Sequence, residues 1–128
     1  MRLLLDTHAF MWWLDGDRRL SPRSRRAIEA SPDSVWVSAL SAWEMILKST
    51  LGRSRHARVA TEDVAGAIRS QGFIPLDITF PHVHRVRDLP LTHSDPFDRL
   101  LAAQAIVEGL HLVSRDEAFD RLGVARFW

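Results

Sequence analysis

The chain has 128 residues, contains 17 Lys and Arg against 16 Asp and Glu, and has no cysteine. This length predicts a single domain, residues 1–128, whose hydrophobic core needs no disulfide or metal to hold it together. The absence of cysteine excludes catalytic thiols and cysteine-ligated zinc. The formal net charge of +1 gives no sign of nucleic-acid binding from composition alone, although every cationic residue except Lys48 is an arginine.

The N-terminal segment predicts a strand followed by a helix. The apolar run "RLLL" is typical of a buried parallel strand over residues 2–6, and Asp6 and His8 break the run too early for a signal peptide or a membrane span. We therefore expect a soluble, cytoplasmic protein with no membrane contact. The segment "THAFMWWLDG" predicts a short helix capped by Thr7 and ending near Gly16, with Phe10 to Leu14 as a candidate exposed patch for a partner.

The central segments continue the alternation. Ser21 to Ser31 reads as a helix entered through Ser-Pro, and Ser34 to Ser38 as a second buried strand. The stretch "SALSAWEMILKSTLG" has helical apolar spacing and predicts a C-cap at Gly52. Trp36 and Trp43 are expected in the core.

The C-terminal half repeats the same pattern. Thr61 is the expected start of a helix that ends on Gly72, and Thr79 lies near the cap of a helix within residues 78–90. Further predicted elements are a strand at "FIPL", a helix from 95 to about 108, a strand at "LHLVS", a short helix through "DEAFDRLG" and a final edge at "VARFW".

Alternating strands and helices of these lengths predict a parallel sheet with helices on both faces, a three-layer α/β/α domain. In such sheets a ligand binds outside the carboxyl ends of the strands. Acidic side chains that follow different strands therefore converge, even when they lie far apart in the sequence.

Four carboxylates are expected at this edge: Asp6, Glu44, Asp98 and Asp116. Each also has a local explanation as a helix cap or a first-turn acid. Gathered in one crevice, however, they would repel one another unless a cation neutralised them. Mg²⁺, or alternatively Mn²⁺, prefers oxygen ligands and can activate water to attack a phosphodiester.

Four stretches resemble PIN-domain ribonucleases, specifically the VapC-like toxins of type II toxin–antitoxin pairs. They are "LLLDTHAFMWWL", "SALSAWEMILKSTLGR", "DPFDRLLAAQA" and "LVSRDEAFDRLGV", which occur in the family's order and approximate spacing. The resemblance implies a PIN-like fold, RNA as substrate, a cognate antitoxin, a homodimer, and inhibition by a partner that inserts a helix and an arginine into the crevice.

The same resemblance assigns roles to individual residues. It implies that Asp6, Asp98 and Asp116 bind the metal, with Glu44 as a further catalytic acid, while Asp95 merely caps the helix that carries Asp98. The family's hydroxyl positions fall on two more residues, which would contact substrate: Thr7 and Ser114.

Several basic residues have two interpretations each. Lys48 either touches substrate phosphate or pairs with Glu44 one helical turn away. Arg99 and Arg115 either contact phosphate or screen the neighbouring acids. The stretch "RSRHAR" (Arg53 to Arg58), expected in a loop, either guides RNA or is simply solvated. The pair His82 and His84 is expected to have a surface or capping role rather than to bind a metal.

Other functions fit the residues less well. A haloacid-dehalogenase-like phosphatase needs an Asp two residues after Asp6, where this chain has His8, and a receiver domain needs a lysine after a late strand. A catalytically inactive RNA- or protein-binding module, in which the acids are only helix caps, remains an alternative.

Overall fold

The computed structural model describes residues 1–48, 54–91 and 95–128. Its strands are β1 (Leu3–Leu5), β2 (Val35–Ser38), β3 (Ile74–Leu76), β4 (His111–Val113) and β5 (Arg126–Phe127). Its α-helices are α1 (Thr7–Asp15), α2 (Pro22–Ala30), α3 (Ala39–Leu47), α4 (Arg55–Ala60), α5 (Val64–Ser70), α6 (Phe80–Val86) and α7 (Pro96–Glu108). Short 3-10 helices span Pro32–Ser34 and Glu117–Leu122.

Within the described residues, the strands form one parallel sheet in the order β3-β2-β1-β4-β5. Leu5 at the end of β1 pairs with Val37 on one side and with Val113 on the other. The chain adds strands in one direction from β1 to β3 and then returns to the other side of β1. The boundary between β1 and β4 is therefore the topological switch point, where a crevice opens at the carboxyl ends of the strands.

The sheet separates two hydrophobic clusters. Leu3 and Leu5 pack on one face with Phe10 and Ile28, whereas Leu4 packs on the other face with other buried residues that include Leu101, Leu112 and Phe119. Successive side chains of a strand point to opposite faces, so this division places a helical layer on each side. The predicted three-layer α/β/α architecture is confirmed.

Helix ends follow local capping chemistry. Asp6, rather than the expected Thr7, is the N-cap of α1 and accepts a hydrogen bond from the Ala9 N–H at 2.7 Å. Gly16 ends this helix in the left-handed region at a φ of 61°, which glycine adopts without steric cost. Asp95 caps α7, as predicted, by accepting hydrogen bonds from the backbone of Phe97 and Asp98.

Two sequence expectations fail between β2 and β3. The predicted cap at Thr61 is wrong, since α5 begins after Asp63, whose carboxylate accepts a hydrogen bond from the Gly66 N–H. Most of the basic stretch expected in a loop is helical, because Ser54 caps α4 through the Ala57 N–H. Arg53 and the predicted C-cap Gly52 lie outside the described residues.

The aromatic residues of α1 are mostly internal. Phe10 and Trp12 are buried, because α1 contacts β1 on one side and α3 and α4 on others. The expected exposed patch at Phe10 to Leu14 is therefore wrong. Trp43 shows the opposite error, since it is 54% exposed rather than part of the core. Trp36, also expected in the core, is only partly buried and packs against the cluster that contains Leu4.

A buried polar network joins the sheet to α6 and α7. Ser38 Oγ hydrogen-bonds Gln104 Oε1 at 2.5 Å. His82 Nδ1 accepts a hydrogen bond from the Thr79 N–H, and His82 Nε2 lies 2.9 Å from the Glu108 carboxylate. The capping role expected for His82 is confirmed, but the residue is buried and not at the surface. Among the described residues, no helix has the length and apolar character needed to cross a membrane.

Candidate functional site

The four predicted acids line one crevice of about 240 Å³ at the carboxyl end of the sheet. They come from segments that are distant in sequence, namely the end of β1, the middle of α3, the first turn of α7 and the residues after β4. The parallel strand order brings these segments together at the switch point. The residues concerned are Asp6, Glu44, Asp98 and Asp116.

Asp6 is the acid most affected by its surroundings. Its backbone N–H donates to the Val113 carbonyl at 3.1 Å, which continues the β1–β4 ladder beyond the last paired residues. Burial raises the pKa of the Asp6 carboxyl above its ordinary value. Hydrogen bonds from the Ser114 hydroxyl and the Ala9 N–H oppose this rise in pKa, and the negative charge of Asp98 adds to it. A bound cation would relieve both unfavourable effects.

Ser114 connects two of the acids. It is fully buried at the end of β4, its hydroxyl is hydrogen-bonded to Asp6, and its Oγ accepts the Asp116 N–H at 3.0 Å. Asp116 in turn caps the following 3-10 helix through the Ala118 N–H. This position makes Ser114 a residue that orients acids, which differs from the direct substrate contact that the resemblance implied. Thr7, the other predicted hydroxyl, lines the crevice directly.

Glu44 and Lys48 form an ion pair across one turn of α3. Their charged atoms are 3.7 Å apart, and both residues line the crevice. The pairing interpretation therefore holds, and Lys48 still lies where a phosphate could reach it. Ser38 is the N-cap of this helix, so Glu44 lies beyond the first turn and is not a first-turn acid.

Ser41 is a site residue that sequence reasoning missed. It lines the crevice, is almost fully buried, and its Oγ has no hydrogen-bond partner among the described residues. A buried hydroxyl without a hydrogen-bond partner is rare because it destabilises the fold. Such a hydroxyl typically contacts a ligand or an ordered water. Its position three residues before Glu44, on the same helical face, is the signal that could have identified it.

The two arginines next to predicted ligands are placed differently. Arg99 donates hydrogen bonds to the carbonyl oxygens of Val86, Leu89 and Pro90, at 3.3, 3.4 and 2.6 Å, and does not line the crevice. This geometry argues against phosphate contact, one of the two interpretations of Arg99, because its guanidinium fastens the end of α6 to α7. Arg115 is exposed and lies beside the acids, over the ring of Trp12.

The crevice fits a hydrated divalent cation better than a fully protein-ligated one. Within the described ranges, no group of three His, Asp or Glu side chains forms a ready-made metal cage. Mg²⁺ keeps several waters and commonly binds through only one or two carboxylates, so a preformed cage is not required. The charge coupling of Asp6 to Asp98, the serine bridge to Asp116 and the carboxylate oxygens of the four acids agree with this chemistry, and His8 also lines the crevice.

Comparisons with known proteins agree with the geometry. Residues 3–125 match the PIN domain family. The chain is 32% identical to Ribonuclease VapC22 of Mycobacterium tuberculosis over 117 residues, which cover 89% of this chain and 86% of that protein. The chain therefore belongs to the PIN-domain family, and its sequence is similar to that of a VapC ribonuclease.

Solved structures show the same fold. A DNA-bound VapBC complex from Salmonella typhimurium gives a TM-score of 0.71 at 19% identity, covering 98% of this chain and 96% of that chain. VapBC2 from Rickettsia felis, bound to a promoter DNA fragment, gives 0.68 at 16% identity, covering 95% and 93%. Family membership removes the phosphatase and receiver-domain alternatives.

Proposed function

We propose that this protein is a metal-dependent endoribonuclease and the toxin of a toxin–antitoxin pair. The observation that carries the proposal is the convergence of Asp6, Glu44, Asp98 and Asp116 on one crevice at the switch point of a PIN fold. The similarity to a protein named as a ribonuclease supports RNA as the substrate. A cytoplasmic location remains a prediction.

The acids of the crevice would hold Mg²⁺ or, alternatively, Mn²⁺. Asp6, Asp98 and Asp116 bind the cation, and Glu44 contributes the fourth carboxylate. The bound ion supplies Lewis acidity and a water of lowered pKa, the chemistry needed to hydrolyse a phosphodiester.

The other residues of the site position the acids and the substrate. Ser114 holds Asp6 and Asp116 in place through its two hydrogen bonds. Lys48 and Thr7 line the crevice where the phosphodiester enters, so the ammonium group can neutralise phosphate charge and the hydroxyl can hydrogen-bond to it. Hydrolysis adds water across one P–O bond and requires no covalent enzyme intermediate.

Two protein partners belong to this proposal. The structural relatives are VapBC complexes, which supports a cognate antitoxin as a partner of this chain. A homodimer is supported by an exposed apolar stripe on α3. Its three members lie at helical spacing and are Trp43, Ile46 and Leu47, which are 54%, 60% and 57% exposed.

The test is RNA cleavage by purified, antitoxin-free protein. Total cellular RNA is incubated with Mg²⁺, with Mn²⁺ or with chelator, using the wild type and two matched variants, Asp98→Asn and Asp95→Asn. We expect discrete cleavage that needs the metal and Asp98. The Asp95→Asn variant should remain active, because asparagine caps a helix about as well as aspartate.

Two results would contradict the proposal. One is full cleavage by Asp98→Asn, and the other is cleavage that persists in chelator. The alternative of a catalytically inactive binding module predicts no cleavage and no heat of Mg²⁺ binding in calorimetry, so a metal titration of the wild type separates the two functions.

A further inference from the structure

A second depression, of about 450 Å³, adjoins the acidic crevice. It shares Asp6, His8 and Asp116 with the crevice and is completed by Trp12, Arg19 and Arg115. Because the two cavities share these three residues, a molecule bound in the crevice lies directly beside the depression. The depression differs from the crevice in offering two guanidinium groups.

Both guanidinium groups lie over one aromatic ring. The Cζ atoms of Arg19 and Arg115 are 5.2 and 5.1 Å from the centre of the Trp12 ring. That ring is nearly buried and makes an edge contact with Trp128 at 6.0 Å. Trp12 is therefore a fixed support, and cation–π attraction holds the two arginines beside the crevice. We call Trp12, Arg19 and Arg115 the arginine platform.

The two arginines differ in their other contacts. Arg19 forms a two-pronged ion pair with Asp17, with a shortest distance of 2.7 Å, which restrains the orientation of its guanidinium. Arg115 is exposed, and no described residue accepts a hydrogen bond from its guanidinium. Arg115 is thus the member of the platform best placed to take an anionic ligand, with Arg19 as a second donor.

The acidic crevice creates a need for such a group. It is lined by five carboxylates, whereas its single lysine, Lys48, is already paired with Glu44. Even with a bound divalent cation, an RNA strand that enters this crevice meets more negative than positive charge. Positive charge beside the crevice would therefore add to the attraction that Lys48 supplies, and guanidinium groups bind phosphate oxygens in a two-pronged geometry that suits this task.

We infer that the arginine platform binds the RNA phosphate next to the scissile one, with Arg115 as the main contact and Arg19 as the second. The inference rests on the proposed function, because it takes RNA as the ligand of the adjoining crevice. A phosphate contact positions the strand and carries no sequence preference. The platform therefore contributes affinity and register, not the choice of cleavage sequence.

The experiment measures RNA binding separately from cleavage. A fluorescently labelled single-stranded RNA of random sequence is titrated in chelator, in an Asp98→Asn background, and followed by anisotropy. Arg115→Ala is compared with Arg115→Lys, with Arg19→Ala and with a control, Arg69→Ala. Arg69 is exposed on α5 and lines neither cavity. Thermal denaturation of each variant checks that the fold is intact.

We expect Arg115→Ala to raise the Kd roughly tenfold, the loss typical of one charged hydrogen-bonding group. The slope of log Kd against log salt should fall by about 0.7 for each lost contact with a single strand. Arg115→Lys should keep most of the salt slope and lose part of the affinity, since lysine retains the charge but not the two-pronged guanidinium geometry. Arg19→Ala should show a smaller loss, and Arg69→Ala none.

An unchanged Kd and salt slope in Arg115→Ala would overturn the inference, as would the absence of RNA binding at low salt in all forms. Failure of the proposed function would appear in the cleavage assay and not in the binding assay. A wild type that binds RNA through Arg115 in chelator, yet never cleaves it with Mg²⁺ or Mn²⁺, supports the phosphate contact and contradicts the nuclease.

Discussion

Asp6 serves two purposes that oppose each other energetically. As the N-cap of α1 it accepts the Ala9 N–H and stabilises the fold. As a partly buried carboxylate of the crevice it carries a charge that destabilises the fold, since burial and the nearby charge of Asp98 raise its pKa. An uncharged residue such as asparagine could cap the helix equally well. The cap therefore does not explain why a charged carboxylate is present, which points to a functional reason for it.

Asp6→Asn separates these two purposes. Asparagine keeps the helix cap but carries no charge, so we expect loss of cleavage by at least about a hundredfold with an unchanged or raised Tm in metal-free buffer. Added Mg²⁺ should raise the Tm of the wild type but not of the variant. Thermal denaturation with and without Mg²⁺, alongside RNA cleavage, measures both effects. A variant that cleaves normally would disprove the role of Asp6.

The same substitution has a defined pH dependence. The pKa of Asp6 is raised in the folded state, so its contribution to stability is fully present below the unfolded pKa and is lost as pH rises through the folded pKa. The Tm advantage of Asp6→Asn in chelator should therefore be largest at neutral pH and vanish in acid. An advantage independent of pH would show that the charge is not its cause.

At the scale of elements, the network through Ser38 and Gln104 fixes α3 and α7 relative to the sheet. Ser38 Oγ accepts the Leu40 N–H that caps α3 and is hydrogen-bonded to the buried amide of Gln104 in α7. These two helices carry Glu44 and Asp98. The distance between Glu44 and Asp98 thus depends on the Ser38–Gln104 hydrogen bond, in which neither acid takes part.

Gln104→Leu tests this connection. It leaves the Ser38 hydroxyl without its partner inside the core, so we expect the free energy of unfolding to fall by about 1–3 kcal/mol in urea denaturation. Ser38→Ala alone should cost about 1 kcal/mol through the lost cap. Because the two residues interact directly, the double variant should lose less than the two single losses combined. Strict additivity would mean that the hydrogen bond contributes nothing.

At the scale of the whole molecule, the apolar stripe on α3 is unusual for a surface beside a polar crevice. If it forms the proposed homodimer, Ile46→Asp should lower the molar mass measured by light scattering to that of a monomer. Val59→Asp is the matched control, because Val59 is also 60% exposed but lies on α4. Equal masses for wild type and Ile46→Asp would place any dimer contact elsewhere.

The sequence by itself determined the features that local chemistry dictates. Leu3 to Leu5 form an unbroken apolar run, so a buried strand could be predicted. The pair Asp95-Pro96 indicated the start of α7. The four acids could be predicted to share a crevice because each lies just after a strand, in the helix that follows a strand, or at the start of the helix that leads into a strand. Their roles in catalysis remain predictions that the cleavage experiments test.

The tertiary structure alone decided which side chains face the crevice. Arg99 and Arg115 both lie next to a predicted ligand, yet Arg99 fastens α6 to α7 while Arg115 joins Arg19 over Trp12. Trp43 has core-like helical spacing but is exposed. Neighbours along the chain fix caps and strands, whereas the direction and burial of a long side chain depend on segments that are distant in sequence and meet only when the sheet is assembled.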